Sequence, residues 1–65
     1  MRRTVARVYH HGTYRVIYDD TALIKPYTIY YESHDIDGDF HSKKVESYAD
    51  LGGCMYHLAE AVIRS

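Results

Sequence analysis

The sequence predicts an α+β domain: a three- to four-stranded antiparallel sheet of consecutive hairpins, followed by one C-terminal helix packed on one face (ββββα or βββα). Three observations predict it. A helical apolar period is confined to residues 48–64, two glycine-containing turn signals stand upstream of it, and the segments beside those turns are rich in β-branched and aromatic residues. At 65 residues the chain makes one small domain, residues 1–65, with a core that is marginal for its surface.

The first strand is expected over residues 3–9, where Thr4, Ala6 and Val8 alternate with Val5, Arg7 and Tyr9. His10-His11-Gly12 interrupts it as a three-residue hairpin loop, with Gly12 at the position that needs a left-handed backbone. The second strand then covers 13–18, setting Val8 opposite Tyr14, Ala6 opposite Val16 and Arg7 opposite Arg15, with Tyr18 continuing the buried row. Asp19 to Pro26 reads as a loop in which Leu23 and Ile24 plug the edge of the core, with exposure as a partner-binding anchor the alternative. The third strand covers 27–34, and Asp37-Gly38 reads as a two-residue hairpin turn into a fourth strand over 39–44. That turn sets Asp35 opposite Phe40, His34 opposite His41, Glu32 opposite Lys43 and Tyr30 opposite Val45, so that Ile29, Tyr31 and Phe40 face the helix.

The helix is expected over 48–64, with Tyr48, Leu51, Met55, Leu58 and Val62 on the buried side and Asp50, Gly53, His57, Glu60 and Arg64 opposite. Ser47 is placed to cap it, Asp50 and Arg64 suit the two ends of its dipole, and Glu60 and Arg64 form an i,i+4 pair. Gly52 and Ala59 read as small residues that let the helix approach the sheet, whereas Gly53 reads as solvent-facing with no packing reason.

Net charge is −1, which argues against a generic nucleic-acid binder, but the average hides two blocks. Residues 1–18 carry Arg2, Arg3, Arg7 and Arg15 with no acid; residues 19–39 carry six acids against Lys25 alone. Eight tyrosines and no tryptophan suit both a thin core and an interface, because a phenol can bury its ring and keep its hydroxyl wet. The single Cys54 forms no intrachain disulfide, and no apolar run near Met1 has the length of a signal peptide or a membrane span, so a cytoplasmic location with no membrane partner is expected.

Four constellations bear on chemistry. Asp35, Asp37, Gly38, Asp39 and Glu46 match part of a calcium-loop spacing, but Phe40 stands where the loop needs glycine and Ser42 where it needs an apolar residue. His34 with His41, His10 with His11, and Cys54 with His57 do not make the four-ligand set of structural zinc. Cys54 lies in an apolar helix stretch, where a thiol is inert, and Asp35 with Asp37 lack a cleft. The reading is therefore a non-enzyme with no cofactor, no metal and no small-molecule substrate.

What remains is the sheet face turned away from the helix, expected to display Val5, Arg7, Tyr9, Arg15, Ile17, Thr28, Tyr30, Glu32 and Lys43. Arginines and tyrosines around a central aliphatic are the composition of protein-binding hot spots, so Arg7, Tyr9, Arg15, Ile17 and Tyr30 are the candidate partner-binding residues, for a protein partner or self-association, including a homodimer. The same face can stack bases and hold phosphates, which makes nucleic acid the alternative partner. A half-wet antiparallel sheet with scattered apolar residues is the bland alternative to both.

The order of strands before a single helix is similar in topology to the DNA-binding domains of phage integrases and certain plant transcription factors, and to HicB-like antitoxin folds. No residue motif of these families is present, so the likeness implies topology alone. Compact, tyrosine-rich domains of this kind also resemble in style phage or mobile-element regulators and inhibitors that act by binding one host protein.

Overall fold

The structure, a computed structural model, describes residues 1–64. Four strands, β1 (Arg2–Tyr9), β2 (Thr13–Asp19), β3 (Tyr27–His34) and β4 (Phe40–Tyr48), form one antiparallel sheet in the order β1-β2-β3-β4, and the helix α1 (Leu51–Arg64) follows. This is the ββββα arrangement expected from the two turns and the helical period. α1 lies over β3 and β4. The result is a slab of 38 × 26 × 15 Å exposing 4669 Å². A monomer of this mass typically exposes about 4,300 Å², so the shape is flatter than its size requires.

The first hairpin has the expected register, Ala6 against Val16, Arg7 against Arg15 and Val8 against Tyr14. A register shift between Thr4 and Ala6 makes Val5 a bulge residue and puts Thr4 opposite Ile17. Both His11 (φ 53) and Gly12 (φ 135) take positive φ in the turn. Gly12 is also required by close approach: a Cβ there would lie 2.6 Å from the phenol oxygen of Tyr31, which reaches across β2 and donates to the His11 carbonyl.

The second hairpin departs from expectation. The turn is a three-residue loop, Ile36-Asp37-Gly38, closed by Asp35 N–H to Asp39 O and Gly38 N–H to Asp35 O, with Gly38 left-handed (φ 85). The cause is Asp35, whose carboxylate accepts the N–H groups of Asp37 and Asp39, both at 2.9 Å, and so makes the tighter turn unnecessary. The pairing therefore slips by one residue. His34 faces Phe40, Ser33 faces His41, Glu32 faces Ser42, Tyr31 faces Lys43 and Tyr30 faces Lys44. Phe40 leaves the helix side and is 57% exposed, and His34 and His41 fall on opposite faces. A register shift at Ile29/Tyr30, with Val45 as the extra residue, restores the pairing of Ile29 with Glu46 and Thr28 with Ser47.

β4 runs to Tyr48, beyond the expected end at residue 44, because Ser47 and Tyr48 stay in the ladder and the Ser47 hydroxyl bonds Thr28 Oγ1 at 2.9 Å. Ser47 is thus not the helix cap. Asp50 is: its carboxylate accepts the Gly53 N–H at 2.6 Å, and its carbonyl accepts the Cys54 N–H. Gly52 and Gly53 consequently occupy the first turn and not the helix interior. Only the Asp50 carboxylate lies near the space where either would carry a Cβ, so the sheet-approach reading of Gly52 and Ala59 does not hold; both are exposed. The expected buried side holds for Tyr48, Met55, Leu58 and Val62 and departs at Leu51. Cys54 and Leu58 reach the core while Leu51 stays 41% exposed.

The core is Val16, Ile29, Cys54 and Leu58, with Ala6, Val8, Tyr14, Tyr27, Tyr48, Met55 and Val62 packed around it. Burial raises the pKa of the Cys54 thiol, with the Asp50 charge a smaller contribution in the same direction. Tyr48, its pKa likewise raised mainly by desolvation, stacks on His57 with ring centres 4.9 Å apart and ties the end of β4 to the helix. Glu60 pairs with Arg64 as expected (3.4 Å). No helix among the described residues is long and apolar enough to cross a membrane.

Candidate binding surface

The helix covers one side of the sheet, leaving the opposite side as the broad face of the slab. Strand pairing fixes its pattern. Arg7 lies opposite Arg15, Arg15 opposite Tyr30, and Tyr30 opposite Lys44, so one row crosses all four strands as Arg-Arg-Tyr-Lys. The next row towards the β2–β3 loop is Thr4, Ile17, Thr28 and Ser47; the next row the other way is Tyr9, Thr13, Glu32 and Ser42. Lys44, not Lys43, therefore belongs to this face, because the slipped hairpin register exchanges their sides. Val5 leaves it as a bulge, replaced by Thr4.

The candidate residues Arg7, Arg15 and Tyr30 thus share one row, with Ile17 and Tyr9 in the flanking rows. They are not equally available. Arg15 is held by Glu32 at 2.9 Å, and its Nε is buried without a partner among the described residues. Ile17 is 7% exposed and forms a floor more than a protruding anchor. Tyr9 stands 74% exposed, and the Tyr30 hydroxyl accepts from Arg2 at 3.3 Å.

Ile17 and Tyr30 are also part of a groove of 810 Å³ that residue spacing did not reveal. Its other wall is the β2–β3 loop, where Leu23 and Ile24 are 89% and 83% exposed and plug nothing. The loop backbone explains why. Asp19 N–H bonds Pro26 O at 2.8 Å, Ala22 N–H bonds Asp19 O, and the Asp19 carboxylate takes the Thr21 hydroxyl and N–H at 2.6 and 3.0 Å. This closes residues 19–26 into a tight knot outside the sheet, with the two aliphatics displayed on it. Those bonds, the Thr21 hydroxyl first, hold the Asp19 carboxyl below its ordinary pKa; Arg2, 3.9 Å away, assists. Lys25, Lys44 and Arg2 supply the cations of the groove, with Thr28 and Ser47 at its base. The volume lies in the range of ligand clefts, roughly 300–1,000 Å³. The available signal for it was an aliphatic pair inside a loop otherwise built of turn formers and charges.

The residues considered for metal chemistry are separated. Asp35 spends its carboxylate on the turn and on His41 Nε2 (2.9 Å), contacts that lower its pKa, with the His41 bond the largest cause. Cys54 is buried whereas His57 is stacked on Tyr48. Among the described residues no three His, Cys, Asp or Glu side chains converge.

Comparison with protein-family models, with curated proteins and with solved structures finds no match to this chain.

Proposed function

We propose that this chain is a non-enzymatic binding module that recognises a protein through the open sheet face, in the manner of a small regulator or inhibitor. The observation that carries the reading is the alignment of Arg7, Arg15, Tyr30 and Lys44 in one row across an uncovered sheet, beside a groove walled by exposed Leu23 and Ile24. Tyrosine and arginine next to an aliphatic pocket are the side chains that concentrate binding energy in protein interfaces. Partial neutralisation supports a protein over a polyanion, since Arg15 already pairs with Glu32 and Arg2 with Asp19. One observation favours the second reading, nucleic acid: Arg7 and Lys44 have no acidic partner among the described residues and share the row of the Tyr30 ring.

The test is capture of partners from cell extract with and without nuclease, using the chain and its Arg15→Ala and Tyr30→Ala variants. A protein retained after nuclease treatment, and lost with either folded variant, is the expected result. Retention of every partner by both variants refutes the choice of face. Loss of all capture on nuclease treatment, with binding that weakens steeply as salt rises, selects nucleic acid instead.

A further inference from the structure

We propose that the tip of the β3–β4 hairpin of one copy seats in the β2–β3 groove of a second copy, so that the chain associates with itself head to tail. This rests on the open face being a binding surface and names an occupant for its groove. Ile36 is 99% exposed at the apex of the tip, between Asp35 and Asp37. The turn itself does not call for an aliphatic residue there, since its geometry is fixed by the Asp35 carboxylate and by Gly38. Asp35 is consumed by that task and by His41, which leaves the carboxylates of Asp37 and Asp39 without partners among the described residues. The tip is therefore one aliphatic side chain in the same turn as two free anions, Asp37 beside it and Asp39 at the turn's far end.

The groove has the complementary features. Leu23 and Ile24 offer an apolar wall over the Ile17 floor, and the ammonium groups of Lys25 and Lys44 have no acidic partner among the described residues. Seating the tip buries Ile36 against those aliphatics and brings the free carboxylates of Asp37 and Asp39 to the two free cations. β3 begins at the groove and ends at the hairpin, so tip and groove sit at opposite ends of the sheet and no copy can fill its own groove. The contact joins two different surfaces, so two copies laid antiparallel can fill each other's grooves as a dimer, and copies that do not pair reciprocally extend further.

The experiment is sedimentation of the full chain over a wide concentration range at low and high salt, with Ile36→Ser and Leu23→Ser variants. Both residues are exposed, and circular dichroism checks that the variants fold. The wild-type mean mass is expected to rise with concentration above that of a monomer and to fall with salt. Each variant alone is expected to associate at least roughly tenfold more weakly, from the lost aliphatic burial. The deciding arm is an equal mixture of the two. An Ile36→Ser copy keeps a working groove and a Leu23→Ser copy a working tip, so the mixture forms a one-to-one dimer and stops there. A wild-type chain that stays monomeric throughout, association that both substitutions leave unchanged, or a mixture that restores no dimer overturns the proposal. In each case a foreign protein captured in an Arg15- and Tyr30-dependent way keeps the reading of the open face intact, whereas self-association without any such capture separates the two in the other direction.

Discussion

Leu58→Ala tests how the helix sits. Leu58 is 1% exposed and belongs to the core cluster with Val16, Ile29 and Cys54, whereas Leu51, about two turns earlier and on the same apolar stripe by spacing, is 41% exposed. Truncating a fully buried leucine costs the lost transfer energy plus the cavity left behind, about 2–5 kcal/mol. A slab this thin closes part of the cavity, so about 3 kcal/mol is the working figure for Leu58. Leu51 has shed less of its surface, and Leu51→Ala is expected to cost about 1 kcal/mol. A core of this size supplies about 3–5 kcal/mol in all, so Leu58→Ala brings the chain close to its unfolding midpoint in buffer. Urea denaturation followed by far-ultraviolet circular dichroism reads the difference. At an m-value of about 1 kcal/mol/M, the midpoints of the two variants should stand about 2 M apart. Equal losses, or a larger loss for Leu51→Ala, would refute the placement of α1 and return the buried side to the one that spacing alone suggests.

Asp50→Ala should destabilise by about 1 kcal/mol through loss of the cap on the Gly53 N–H, and the same substitution should lower helical ellipticity at the native baseline. Gly12→Ala should cost more than Gly38→Ala, since Gly12 has the less accessible φ (135 against 85) and also lies under the Tyr31 phenol; a lower thermal midpoint for Gly12→Ala checks this. The carboxyl pKa values of Asp19 and Asp35 are lowered from 3.8 by the folded state. Their stabilisation is therefore present above that value and is lost as pH falls through the folded pKa. Asp35→Asn should flatten the acid limb of a stability–pH curve measured below about pH 4.

Much of the fold was legible because independent signals agreed. The alternation through β1, the glycine of the first turn and the helical period of residues 48–64 all specify local geometry, and the ββββα order follows from them. The errors arose where a side chain took over a backbone task. Asp35 bonds to two N–H groups and so replaces a two-residue turn with a three-residue one, which slips one register and moves Phe40, Lys43 and Lys44 to other faces. Asp50 takes the cap that spacing assigned to Ser47, which delays the helix by a turn and explains both glycines. For the candidate site, the row of Arg7, Arg15 and Tyr30 was legible from strand period. The groove was not, because its wall is a loop whose aliphatics are displayed by the hydrogen bonds of Asp19, a tertiary outcome that no periodicity encodes.

The thinness of the core and the character of the surface have one origin. With a single helix over β3 and β4, the buried hydrophobics among the described residues are Val16, Ile17, Ile29, Cys54 and Leu58, while Leu23, Ile24, Ile36 and Tyr9 remain in water on or beyond the open face. Removing that second group from water would stabilise the molecule, and this does not come from within, because the strands that carry those residues are already paired and the loops that carry them are already closed by aspartates. Under the proposed reading a bound partner would supply it by mass action, with a stabilisation that grows with the logarithm of partner concentration over Kd. The charge pattern then determines which partner fits best. The groove carries Arg2, Lys25 and Lys44 against Asp19, which Arg2 partners, while the β3–β4 tip carries the acids Asp37 and Asp39, so an acidic turn with an aliphatic side chain complements the groove, and the chain itself presents one.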